Sequence, residues 1–169
     1  EERQLLNDFN PKDWPYPAEQ NLVLLFEQQV LQRPQQVALR YKEETLTYEQ
    51  LDHKSNALAR YLIENYDIQE EDRIAFMLDR SPWAIIAMLA SLKAGAVYVP
   101  ISVEDPLERK RFIVEDTKPK ALLIESEHLF DLLDIGVEII SLDIQWDEIQ
   151  VMVGDWEKVN IRPDQLAYI

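Results

Sequence analysis

Histidine, cysteine and paired carboxylates do much of protein chemistry, and in this chain they are scarce or scattered. Histidines number two and cysteine is absent, which excludes disulfides, thiolate metal sites and a cysteine nucleophile. His53 lies beside Lys54 on a helical stretch, where a surface position is expected. His128 sits between the acids Glu125 and Glu127 with no second histidine at a ligand spacing, so neither histidine is expected to hold a metal. Glu70–Glu71–Asp72 is the densest acidic run. Paired acids do acid–base work only when burial or a neighbour separates their pKa values, and this run precedes a strand, so a solvated turn is expected. Ser81 and Ser126 read as helix caps, since neither has a general base nearby in sequence. A phosphate cradle needs several glycines ahead of a helix, whereas Gly95, Gly136 and Gly154 stand alone. The four tryptophans show no regular spacing with basic residues that would make a base-stacking platform. The expectation is that these residues include no catalytic, cofactor-binding or metal-binding position.

The elements that would position such residues are easier to read. Pro11, Pro15 and Pro17, interleaved with Trp14 and Tyr16, forbid a helix and favour an extended path, either a tail on its own domain or an ordered linker. A helix follows from Leu22 to Gln32, and Val37–Tyr41 and Thr45–Leu46 read as short strands around Lys42–Glu43–Glu44. Thr47 and Gln50 form a capping-box pattern for a helix ending near Tyr66. Arg73–Leu78 reads as a strand, and Ser81–Pro82 opens a helix to Ala94 that is apolar nearly all round. Gly95 supplies a left-handed helix stop ahead of the strand Val97–Val99. Asp105–Pro106 starts a helix to about Asp116; Lys120–Ile124 and Val137–Leu142 read as strands, with a short helix from Ser126 through Leu133 between them. Residues 143–159 show no clean period, and Gln165–Ile169 reads as one more strand. This alternation predicts an α/β protein with a mostly parallel sheet and flanking helices.

Composition narrows the function classes. A formal net charge of −15 disfavours nucleic acid and anionic membrane surfaces, which need clustered Lys and Arg. The one dense basic run, Arg109–Lys110–Arg111, is flanked by Glu108 and Glu115 and reads as a solvated helix face. No run approaches the length of a membrane span and no signal peptide is evident, so a cytoplasmic protein is the expectation. The lack of an initiator methionine and the stop at Ile169 suggest a piece of a longer chain.

Several segments, in order, carry a family resemblance. LKAGAVYVPI (92–101) resembles the second core motif of amino-acid adenylation domains of nonribosomal peptide synthetases, in the AMP-forming acyl-adenylate synthetase superfamily. LTYEQL (46–51) resembles the first core motif, RPDQLAYI (162–169) the strand that leads into the third, and LLNDFNPKDWPYP (5–17) the linker from a condensation domain. After Ile101 the family usual Asp-Pro-x-Tyr-Pro is replaced by Ser102, Val103, Glu104, Asp105 and Pro106, with Glu108–Arg109 kept.

The resemblance implies an interdomain linker at 1–20 and, at 21–169, the N-terminal part of the large adenylate-forming core subdomain, cut before the phosphate-binding loop. It further implies that the parent forms an aminoacyl-AMP from an amino acid with ATP and Mg, then loads a carrier-protein phosphopantetheine thiol. Its partners would be an upstream condensation domain and a downstream carrier protein. The 169 residues alone are expected to be inactive, and no cofactor is expected to bind them. Two rivals are a non-catalytic module docking a condensation domain and part of an acyl-CoA synthetase; the linker at 5–17 argues against the latter.

Overall fold

Local rules set the first elements. The computed structural model describes residues 20–132, 135–152 and 158–169, so the expected linker, save Gln20, lies outside the described residues. Helix α1 (Leu22–Gln32) begins where the Asn21 side chain accepts from the Leu24 N–H, and it ends at Arg33, ahead of Pro34. Strands β1 (Val37–Tyr41) and β2 (Glu44–Thr47) form an antiparallel hairpin that turns at Lys42, with φ 51°. Thr47 ends β2 and caps α2 (Tyr48–Tyr66). Its hydroxyl accepts from the Gln50 N–H while the Gln50 side chain accepts from the Thr47 N–H, the reciprocal box read from the sequence.

Four strands make the central sheet: β3 (Arg73–Met77), β4 (Val97–Pro100), β5 (Ala121–Ile124) and β6 (Glu138–Ser141). Their order is β4-β3-β5-β6 and every pairing is parallel, which establishes the α/β class. Crossover helices cover both faces of such a sheet, so its strands must be apolar on both sides. Ile74, Phe76, Leu123 and Ile140 pack in a layer with α2, α3 (Pro82–Lys93) and α5 (Leu142–Gln150). Ala75, Met77, Val99, Leu122 and Ile124 form the opposite core with Val114 of α4 (Leu107–Thr117). Helix α3 has no exposed position, as its all-round apolar character requires. Each fully buried Leu or Ile in these layers contributes about 1.5–3 kcal/mol relative to an exposed one.

Several expectations are corrected by tertiary contacts. Residues 142–150 are helical: Leu142 and Ile149 are fully buried, and the Trp146 ring meets Trp83 edge-on at 4.8 Å. Ser81 makes no capping bond; Pro82 follows it at the start of α3. Ser126 opens a 3-10 segment, Ser126–Leu132, and donates to Asp143. Pro106, not Asp105, holds the N-cap position of α4, without a side-chain bond. Lys110 is buried and its Nζ donates to the Val103 carbonyl at 2.8 Å, so only Arg109 and Arg111 of that basic run face solvent. The expected strand at 165–169 pairs through a single parallel bridge, Tyr98 with Tyr168.

Burial and the neighbouring Tyr61, with Glu138 behind, push the Tyr66 phenol up to about 12. An unfolded tyrosine ionises near pH 10. The folded state therefore holds this proton where the unfolded state loses it, and the associated stability is full below pH 10 and lost as pH rises towards 12. Urea denaturation between pH 9 and 11.5 should show a shallower alkaline loss of stability in Tyr66→Phe than in the wild type.

Candidate functional site

Two places concentrate polar groups: the junction between α3 and β4, and a cleft at the carboxyl edge of the sheet. The junction begins with Lys93, the last residue of α3, which is only 3% exposed. Its ammonium has three N–H donors. They meet Asp52 Oδ1 at 2.7 Å, Ser55 Oγ at 2.8 Å and Asn56 Oδ1 at 2.8 Å, all on α2, while the Phe26 ring of α1 lies 5.2 Å away. Burial lowers the Lys93 pKa, and Asp52 offsets part of that effect. Sequence reading passed over this residue because nothing local links 93 to 52.

Two residues on, Gly95 adopts φ +74°, and a Cβ there would lie 3.0 Å from Val159 Cγ1. The left-handed backbone read from the sequence is present, and close packing adds a second reason for glycine. The Gly95 carbonyl accepts from the Glu71 N–H at 2.9 Å and from Gln165 Nε2. Further along, the Tyr98 N–H donates to the Ala167 carbonyl at 3.1 Å and the Ile169 N–H to the Tyr98 carbonyl at 3.2 Å. The Tyr98 and Tyr168 rings stack at 5.5 Å.

The acidic run turns out to be tied into this junction. Glu70 pairs with Arg162 at 2.8 Å, Glu71 accepts from the Leu166 N–H at 3.2 Å, and Asp72 pairs with Lys120 at 2.7 Å. Glu70 and Glu71 are exposed as expected and Asp72 is half-buried, yet two of the three acids hold the segment 162–166, a contact no spacing rule announces.

The cleft, of about 940 Å³, is walled by residues that follow three parallel strands. Leu78–Ser81 come after β3, Ser102–Glu104 after β4, and Glu125 and Glu127 after β5, with Tyr41 and Lys42 of the hairpin closing one side. Carboxyl strand ends are the usual ligand position in open α/β sheets. Ser81 Oγ lies 3.4 Å from Glu125 Oε2. Burial first, then the charges of Glu127 and Asp79, raise the Glu125 carboxyl above the ordinary range. Burial pushes Asp143 upward too, but bonds from Ser126 and Ser141 prevail and hold it low. His128 Nε2 stands 3.2 Å from Asp79 Oδ2, a partner 49 residues away that sequence proximity could not supply. His53 is exposed, as expected.

Both places yield tests. Asp52→Ala strips the counter-charge from a buried ammonium and should cost about 3–5 kcal/mol in urea denaturation. Lys93→Met keeps the volume, leaves the buried Ser55 hydroxyl still bonded to the Asp52 carbonyl and leaves Asp52 and Asn56 partly exposed, so it should cost less, about 1.5 kcal/mol. Glu125 is costly as an anion because its folded pKa is raised, so that cost is absent at low pH and complete above its folded pKa. Glu125→Gln should therefore raise the melting temperature at pH 7, with the gain shrinking as pH falls through the range where the carboxyl protonates.

The AMP-binding enzyme family profile matches residues 26–169. Tyrocidine synthase 3 of Brevibacillus parabrevis is 35% identical over 169 residues, covering 100% of this chain and 2% of that protein. Surfactin synthase subunit 2 of Bacillus subtilis (strain 168) is 34% identical over 169 residues, covering 100% of this chain and 5% of that protein. The solved Klebsiella oxytoca NpsA N-terminal subdomain, in complex with 3-hydroxybenzoyl-AMSN, matches with a TM-score of 0.78 and 21% identity. That match covers 94% of this chain and 39% of the NpsA chain, and at this identity it is a likeness of fold. The chain thus spans a small part of each curated relative.

Proposed function

This chain belongs to the AMP-binding enzyme family, with likeness to peptide-synthetase adenylation domains along its whole length, and we propose that the domain it helps build activates an amino acid with Mg–ATP. The product would be an aminoacyl-AMP, passed on to a phosphopantetheine thiol of a carrier protein. Residues 21–169 form the N-terminal part of that domain, and residues 1–20 are the linker to an upstream condensation domain. The setting is cytoplasmic; among the described residues no helix is long and apolar enough to cross a membrane.

The observation that carries this reading is the seating of residues 167–169 beside β4. Tyr168 pairs in parallel with Tyr98, so the backbone leaves Ile169 heading for the carboxyl edge of the sheet. A phosphate-binding loop placed after this strand would arrive where open α/β sheets bind ligands. The chain's own part is positional: Gly95, Glu70 and Glu71 hold the strand that delivers the loop. Its three isolated glycines build no phosphate cradle, so nucleotide binding falls to residues after Ile169.

ATP–pyrophosphate exchange tests the reading. The 169-residue chain with Mg, ATP and each common amino acid should exchange no label above background. The same chain extended through the residues that follow it in its gene should exchange with one or a few amino acids. Robust exchange by the short chain would overturn the positional role; no exchange by the extended form would overturn the activation reading.

A further inference from the structure

Asp79 and Glu127, which line the carboxyl-edge cleft, and the adjoining His128 are three metal-ligating side chains that amino-acid activation, as derived above, leaves unused. Asp79 follows β3, and Glu127 and His128 lie on the 3-10 segment after β5, so adjacent parallel strands deliver all three to one rim. His128 Nε2 is 3.2 Å from Asp79 Oδ2 and 3.7 Å from Glu127 Oε1, and the three ligand atoms lie within 4.8 Å of one another. We propose that Asp79, Glu127 and His128 form a binding site for one divalent first-row cation, Zn2+ in preference to Mg2+, with its remaining coordination positions open to the cleft.

Geometry supports the assignment first. Tetrahedral Zn2+ with ligands at about 2.0–2.1 Å places them about 3.3 Å apart. One observed separation is 3.2 Å and another 3.7 Å. The Glu127 side chain, 67% exposed, is free to make the remaining adjustment. His128 is only 17% exposed in its side chain, so packing holds its ring as a fixed point.

Ligand chemistry chooses the metal. One imidazole nitrogen with two carboxylates suits Zn2+, whereas Mg2+ demands near-octahedral oxygen ligation and gives up water reluctantly. Charge agrees, since two carboxylates and a neutral imidazole balance a dication. Among the described residues no Lys or Arg forms an ion pair with Asp79, Glu125 or Glu127, although Lys42 and Arg80 line the same cleft. Asp79 and Glu127 both line the cleft, which gives the ion a path from solvent.

Zn2+ is titrated into the purified chain against a chromophoric chelator at pH 7.5, with isothermal calorimetry in parallel. The wild type and His53→Gln should bind one Zn2+ with a Kd below about 100 μM. His128→Gln and Asp79→Asn should each bind at least about tenfold more weakly, and tenfold excess Mg2+ should not displace the metal. Long-range 1H–15N spectra, with His53→Gln as the assignment control, should show the His128 Nε2 resonance moving on Zn2+ addition while His53 stays put. Absent binding, equal affinity in His128→Gln, displacement by Mg2+, or an unmoved His128 signal would each overturn the proposal.

Discussion

The Lys93 ammonium is the constraint on which the rest of this chain hangs. It sits between two helices with all three donors engaged by α2, and a buried charge keeps its place only while those partners stay put. Fixing Lys93 fixes the end of α3, and so the point where the chain turns at Gly95. That turn sets where β4 enters the sheet and how its free edge meets residues 167–169. The motif LKAGAVYVPI is thus a chain of positional dependences rather than a set of reacting groups.

The opposite end of the sheet behaves differently. Where the junction neutralises its charges by pairing, the carboxyl edge collects acids with few partners. Glu125 is pushed up by burial and then by its acidic neighbours, while Asp143 is held down by Ser126 and Ser141, the first of which ties the 3-10 segment to α5. The edge is therefore firm in backbone and strained in charge, a combination suited to meeting something positive or to receiving polar groups from elsewhere in the domain. The parallel topology puts the loops after β3, β4 and β5 there together, which is why one cleft draws on residues from 41 to 127.

Much of the architecture was legible in the chain. The bounds of α1 follow from Leu22 to Gln32 and the Arg33–Pro34 stop, and those of α2 from the Thr47–Gln50 box. The alternation of strands and helices from residue 73 onward announced a mostly parallel sheet with flanking helices. The helix at 142–150 escaped because its apolar contacts, Leu142, Trp146 and Ile149, are separated by acids and glutamines that mask the period. Ser81 and Ser126 sit where helices start, but their hydroxyls donate to Glu125 and Asp143, partners 44 and 17 residues away that no local pattern reveals.

The sequence by itself determined most of the elements, their order, the α/β class and the family resemblance, since capping, helical period and glycine stops act across a few neighbouring residues. Only the tertiary structure decided which polar groups meet. Lys93 with Asp52, Glu70 with Arg162, Tyr98 with Tyr168 and His128 with Asp79 are separated by dozens of residues in the chain. The sheet order and the layer packing bring them together, and no spacing along a chain carries that information.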